Sequence, residues 1–488
     1  MAKTPVSKFT FGGMNNADDP ASIGAPTYQN RAYSACADIV NCDVDSSGNV
    51  SCREGTTLDV AAVITSAGLG LCVVDGVINK HTAGDLTPLV GSPTVANVTE
   101  FLQVNDIVVF SDGTTIGYIK DDLPTTLSVP AEATDILDLE AWVAATYPAG
   151  AEATESNLEI DAFAMSTRPG YCLEFYNGAV YMARQVVNDS GIAWFVFCTK
   201  TFNAAKEDDR FNVVAGFKDQ ITMVKAVNDG LFVGTLGGTF FLSGDGVKGS
   251  AEGIRGFTQK RLNPFGAIYG STVKVPGKKE KGSEVVMWLT ANGVYAGRDG
   301  GACEDVSEDR VLVPSGSMAA AFVRQTGDDW HYVVSIGGEA LVVNLKTLHH
   351  SRYTDFDFNG FFALAGQYYG TSADGVTLLE GDDLIDAWFS TPVVDFETQE
   401  LKRCANAYLQ VRTAGAMSLD LFTDEAEAAV DLPFEGPFQV ENGLRQLRAK
   451  LPRGAKGSTW QFKIKNVDGC RFTAFSLKVP PVVSGRTI

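Results

Sequence analysis

One hairpin style, written seven times, constrains this chain more than any other feature. A short β-branched or aromatic run, a turn of Gly with Asn, Asp or Gly, and a second such run recur at 71–78, 107–118, 173–182, 223–234, 285–295, 332–343 and 368–379. Turns of this kind supply the positive φ that a tight hairpin demands, and the flanking runs supply its pleated faces. The repeats stand on the order of 40 to 50 residues apart, which is the period of propeller blades. A blade cannot bury both of its faces alone, so blades stack around an axis. The pattern predicts a β-propeller of six or seven blades over residues 58–385. A large sandwich of β-meanders would satisfy the same hairpins.

The flanks read differently. Residues 1–35 are rich in Gly, Asn, Asp, Pro and Ala and lack periodicity, which predicts an extended arm that orders by lying on another surface. Between residues 37 and 55, two alternating stretches flank Ser46-Ser47-Gly48-Asn49, a hairpin signal. Residues 1–57 are therefore an N-terminal arm and hairpin. After residue 386 the strands lengthen and alternate with period two, predicting a compact β-sandwich over 386–488. The whole is expected to be all-β. One interruption, about 124–168, is acidic and Ala-rich. Within it, Asp135–Ala145 fits a short amphipathic helix with Thr134 or Asp135 as N-cap, so the segment reads as an insertion projecting from a blade.

At 488 residues the chain exceeds what one hydrophobic core supports, consistent with several domains. Its 59 acidic and 39 basic side chains give a formal charge of −20, the wrong sign for a surface that binds nucleic acid by neutralising phosphates. An acidic wall suits a conduit that nucleic acid slides past. Nine cysteines are scattered singly with no CxxC pair, which predicts reduced, mostly buried thiols. The N-terminus has no apolar core of signal-peptide length, and no window resembles a membrane span. Synthesis in a reducing cytoplasm is expected.

Several patterns bear on chemistry. Asp43, Asp45, Ser47, Gly48 and Glu54 occupy positions 1, 3, 5, 6 and 12 of a calcium loop. Ser at position 5, strand-like flanks and the lack of a partner loop favour a plain hairpin turn, and no metal or other cofactor is expected. Gly244–Gly249 spells GxGxxG without the βαβ context of a dinucleotide site. His349 and His350 are adjacent, His331 follows Trp330 and His81 falls in a turn, so none has ligand spacing. Neighbouring acids at 208–209, 328–329 and 382–383 read as solvated loop residues. No GxSxG elbow occurs. The lysines between 274 and 281 form the only concentrated basic patch, with Lys278, Lys279 and Lys281 as candidate contacts to an acidic neighbour or DNA. An enzyme is not expected.

Three stretches resemble the tail nozzle, or stabilisation, proteins of short-tailed phages. The first is Phe11-Gly-Gly-Met-Asn-Asn-Ala-Asp-Asp-Pro20, followed by Asn41-Cys-Asp-Val-Asp-Ser-Ser-Gly48 and Arg53-Glu-Gly55. The second is Arg168–Arg184 with Val227–Gly234, and the third is Trp460–Phe475. Cys42, Cys52 and the long acidic insertion depart from that pattern. The resemblance implies a virion tail component without catalytic residues, arranged as a homo-oligomeric ring, a hexamer, around the DNA exit channel. Its partners would be connector or other tail proteins and DNA in passage. A receptor- or glycan-binding tail-tip protein is the alternative, followed by a propeller glycosidase.

Overall fold

The computed structural model describes residues 7–9, 11–20, 34–96, 99–127, 169–188, 191–200, 203–207, 213–244, 257–275, 284–307, 310–396, 401–413, 415–424, 429–439 and 443–483. Of the insertion expected at about 124–168, residues 124–127 belong instead to the outer edge of blade two, with Pro124 opposite Ile119; the rest, with its expected helix, and the GxGxxG stretch beyond Gly244 lie outside them.

Tight turns set the hairpins. Asp75 and Gly76, at φ of 49° and 76°, and Asn177 and Gly178, at 44° and 80°, have the paired positive φ of the turns that best match strand twist. Each hairpin extends into a four-stranded antiparallel sheet. Blade one runs Ile64–Gly68, Leu71–Val74, Val77–Thr82, Asp85–Pro88, and blade two runs Glu100–Val104, Ile107–Ser111, Ile116–Lys120, Leu123–Thr126. Blade three comprises Tyr171–Tyr176, Ala179–Asn188, Gly191–Lys200 and Asn203–Glu207, with Val213–Phe217 also paired to its third strand. Blade four is Ile221–Val227, Gly230–Thr235, Gly238–Ser243, Thr258–Asn263; blade five is Val273–Val275, Val285–Thr290, Gly293–Arg298, Ala302–Asp305. Blade six is Ala320–Thr326, Asp329–Ile336, Glu339–Asn344 and His350–Thr354.

Blade seven is composite. Gly360–Leu364, Gln367–Thr371 and Gly375–Gly381 take their fourth, outer strand from Gly55–Ala61, with Val376 opposite Val60 and Gly381 opposite Gly55. The strand that precedes blade one thus closes the ring by completing blade seven.

Face-to-face stacking explains why the middle strands are continuous apolar runs rather than alternating ones. Every residue of Gly230–Thr235 is buried. Leu231 and Val233 pack towards blade three against Tyr181 and Val196, whereas Phe232 packs towards blade five against Trp288. Similar clusters join blades one and two, two and three, and six and seven; Met287 and Leu289 of blade five share a core with Tyr332 and Val334 of blade six; and Ile64 and Cys72 of blade one meet Phe362 and Tyr369 of blade seven. The circuit of contacts is complete. The fold is all-β, a propeller of seven blades.

The C-terminal strands form the expected sandwich. One sheet is Trp388–Ser390, Trp460–Asn466, Met417–Thr423 and the first half of Val430–Gln439; the other is the second half of that strand, Arg445–Lys450, Asn406–Thr413 and Phe472–Val479. A register shift between Glu435 and Phe438 lets Val430–Gln439 change sheets. Leu419, Leu421, Phe462 and Ile464 meet Leu409, Val411, Leu447 and Leu477 between the layers.

The described N-terminal residues do not form a separate arm on a neighbouring surface. Ser7–Phe9 pairs with one end of Phe472–Val479, and Val50–Cys52 pairs with the other. Asp38–Val40 lies between Trp388–Ser390 and His350–Thr354, joining the sandwich to blade six in one continuous 15-stranded sheet. Phe9 and Phe11 are both 1% exposed, and the Phe11 ring meets Phe389 edge-on at 4.7 Å. Two aromatics at period two carry more weight than the turn-forming residues around them. The unit expected at 1–57 is therefore shared between the sandwich and blade seven.

Candidate functional site

The innermost strands of the blades surround an axial cavity of about 300 Å³. Three of them carry a lone charged residue between apolar ones: Glu174 in Tyr-Cys-Leu-Glu-Phe-Tyr, Lys225 in Ile-Thr-Met-Val-Lys-Ala-Val and Lys274 in Val-Lys-Val. Burying any of them alone would be costly, so each needs a counter-charge. Glu174 Oε2 lies 3.3 Å from Lys225 Nζ, and Glu174 Oε1 lies 2.5 Å from Lys274 Nζ, which also approaches Glu284 at 3.7 Å. Glu100, at the start of the innermost strand of blade two, accepts the Leu173 amide at 2.8 Å and the Tyr269 hydroxyl. Burial disfavours the Lys225 ammonium, but the Glu174 and Glu100 carboxylates outweigh it and raise its pKa. Burial and the Glu100 carboxylate push the Tyr269 phenol far up, so it stays a donor. Glu100 and Glu174 are both bonded to donors of this chain.

A second cluster joins the N-terminal hairpin to blade six. Asp43 on Cys42–Val44 accepts Arg324 Nη2 at 2.5 Å and the Tyr353 hydroxyl, all three side chains being buried. Arg53 reaches Asn41 Oδ1 at 3.2 Å and stacks over the Tyr353 ring at 5.0 Å. Burial works against the Asp43 carboxylate, but Arg324, His331 and Tyr353 hold its pKa below the usual range. Further along, the Ser46 amide donates to Asp329 at 2.6 Å, and Asn344 Nδ2 donates to the Val44 carbonyl at 3.0 Å. The hairpin is docked along its whole length.

The calcium-loop residues do not converge. Asp43 is committed to Arg324, Asp45 accepts the Ser47 and Asn49 amides of its own turn at 2.8 and 2.9 Å, and the exposed Glu54 lies 3.8 Å from Arg471. Among the described residues no group of three His, Cys, Asp or Glu could hold a metal ion. His81 lies on Val77–Thr82 rather than in a turn, and its Nε2 sits 2.7 Å from Asp59 of the ring-closing strand. Asp329 is buried on a strand rather than solvated in a loop. Lys274 belongs to the axial cluster, while Lys278, Lys279 and Lys281 lie outside the described residues.

Glu100, Glu174, Lys225, Tyr269, Arg324 and Tyr353 escaped the sequence reading. A lone charge inside an otherwise apolar strand was the available signal for Glu174 and Lys225. Arg324 sits in Ala-Ala-Phe-Val-Arg-Gln-Thr, where nothing local separates an inward charge from an outward one.

The fold and its sites define an all-β protein of the propeller class, carrying a sandwich built from both ends of the chain. No protein-family model matches it, and no curated protein does. Among solved structures, it is similar to the CNH domain of AfRom2, with TM-score 0.35, 6% identity, and 66% of this chain and 93% of that one covered. It is also similar to BamB from Moraxella catarrhalis, with TM-score 0.35, 14% identity, and coverage of 65% and 82%. For an arabinoxylan arabinofuranohydrolase of glycoside hydrolase family 43 from Bacillus subtilis, the TM-score is 0.22 at 10% identity, covering 64% and 96%. The propeller assignment rests on the seven sheets and the closing strand, not on these likenesses. Among the described residues no helix is long and apolar enough to cross a membrane.

Proposed function

We propose that this chain is a non-catalytic structural subunit of a phage tail, closing with copies of itself into a six-fold ring that forms a nozzle or tail-tube extension for DNA ejection. The observation that carries this reading is the 15-stranded sheet running from blade six into the sandwich, which makes one stiff body of two domains. Stiffness across a domain boundary is what a ring subunit needs, since relative domain motion is otherwise the default. The axial carboxylates are spent on internal bonds, which favours assembly over hydrolysis. The channel for DNA lies between subunits, and the chain's overall net charge of −20 disfavours adhesion of phosphates. Such a ring closes through heterologous contacts, with Lys278, Lys279 and Lys281 as candidate contacts to an acidic neighbour. Connector and tail proteins are its other partners, and the virion tail its location.

A second reading, a receptor- or glycan-binding tail-tip module, draws on the axial cavity, whose lining includes Ser66, Thr99, Asn359, Phe101 and Phe361. Electron microscopy and native mass measurement of the purified chain separate the two. Closed rings with a central hole are expected. A chain that stays monomeric at every concentration and binds host polysaccharide overturns the ring. Sugar release abolished by Glu174→Gln overturns both readings in favour of an enzyme.

A further inference from the structure

The first hairpin holds two thiols face to face. Strands Cys42–Val44 and Val50–Cys52 pair with Cys42 opposite Cys52, Asp43 opposite Ser51 and Val44 opposite Val50. The hydrogen bonds at either end fix which pairs are narrow. The Asp45 amide donates to the Asn49 carbonyl at 3.0 Å, and the Arg53 amide donates to the Asn41 carbonyl at 2.9 Å. Bonded and non-bonded pairs alternate along an antiparallel ladder, so the pairs 41/53, 43/51 and 45/49 are bonded and 42/52 falls between them. A non-bonded pair sets its Cα atoms about 4.5 Å apart with both side chains on one face, within the roughly 4.4–6.8 Å that a disulfide spans. Cys42 is fully buried, Cys52 is half-buried, and both pack on the same core.

We propose that Cys42 and Cys52 form a disulfide when the folded protein meets an oxidising solution, clipping the hairpin that docks the sandwich onto blade six. A small disulfide such as oxidised glutathione is the oxidant. The more accessible Cys52 thiol loses its proton, and its sulfur attacks one glutathione sulfur, breaking that S–S bond and releasing one glutathione. The Cys42 thiolate then attacks the Cys52 sulfur and releases the second. Two protein thiols are oxidised by two electrons, and one glutathione disulfide is reduced to two thiols. Burial pushes the Cys52 thiol up to about 11 and the Cys42 thiol well above its ordinary value. Both are therefore slow nucleophiles near neutrality, and the cross-link forms slowly. Between the two sulfurs runs the segment bearing Asp43, Val44 and Ser46, which bond Arg324, Asn344 and Asp329. The cross-link holds the register that presents those groups.

The purified full chain, incubated with oxidised glutathione, alkylated and cut by an Asp-directed protease, tests this. Asp38, Asp43 and Asp45 separate Cys36, Cys42 and Cys52 into different peptides. The expected product links the Cys42 and Cys52 peptides with the loss of two hydrogens, and deuterium uptake across residues 41–53 slows on oxidation. Thiols that remain alkylatable after long incubation overturn the proposal. So does glutathione retained on Cys52, or a link from Cys42 to Cys36 or from Cys52 to Cys470. Cys52→Ser should match the reduced protein in deuterium uptake and show no slowing with oxidant; slowing in that variant also overturns it. If Cys52→Ser fails to fold, the wild-type peptide map alone decides.

Discussion

The Asp43 carboxylate lies 2.5 Å from the Arg324 guanidinium, 281 residues downstream, with both side chains nearly out of solvent. That pair pins the N-terminal hairpin, and with it the sandwich, to blade six. Removing one partner strands a buried charge, which costs far more than the intact pair contributes. Asp43→Ala should therefore lower unfolding free energy by roughly 3–5 kcal/mol. Asp43→Asn, which keeps an acceptor for Tyr353, should lose less. Denaturant midpoints of the two variants check this.

Acid should loosen the same region. Burial, with Arg310 and His349 nearby, lowers the His350 pKa from 6.5 to about 4, and burial also lowers those of His331 and His349. A histidine with a depressed folded pKa takes up its proton more readily when unfolded. Its neutral form is thus favoured above the unfolded value, and stability falls as pH drops from about 6.5 towards about 4. For His350 the loss across that window is on the order of 3 kcal/mol. Melting temperature should decline over this range, and His350→Phe should flatten the decline.

Ring closure depends on a glycine. Gly375 has φ of 143°, and a Cβ there would come within 1.9 Å of the Val60 carbonyl oxygen on the closing strand. Gly375→Ala should force Gly55–Ala61 away from blade seven at a cost of roughly 2–4 kcal/mol. Limited proteolysis should then cut within 55–61 before the rest of the propeller.

The axial cluster predicts an asymmetry. Glu174→Gln leaves two ammonium groups facing a neutral amide, whereas Lys225→Met leaves Glu174 paired with Lys274 at 2.5 Å. The first should destabilise by roughly 2–4 kcal/mol and the second by less. Thermal unfolding of both single variants reads the difference.

The N-terminal segment offers a further test. Phe11 is buried against Phe389, so Phe11→Ala should cost roughly 3–5 kcal/mol. A free arm would lose nothing measurable in chemical denaturation.

What the residue order determined by itself is local. Asp75-Gly76 and Asn177-Gly178 dictate hairpins because few residues other than Gly, Asn and Asp accept their backbone angles, and repeating that unit at blade spacing implies stacking around an axis. The strict alternation of Trp460–Asn466 likewise announces a strand with one buried face. Only the tertiary structure decided how many blades close, which strand closes them and what the chain ends do. Gly55–Ala61 resembles any short strand until Gly375–Gly381 is beside it, and Phe9 and Phe11 look like stray aromatics in a polar arm until the sandwich core receives them. The axial charges and the Asp43–Arg324 pair were hidden for the same reason. A turn is fixed by the conformational limits of adjacent residues, whereas a buried ion pair depends on partners that the fold alone brings together across hundreds of residues.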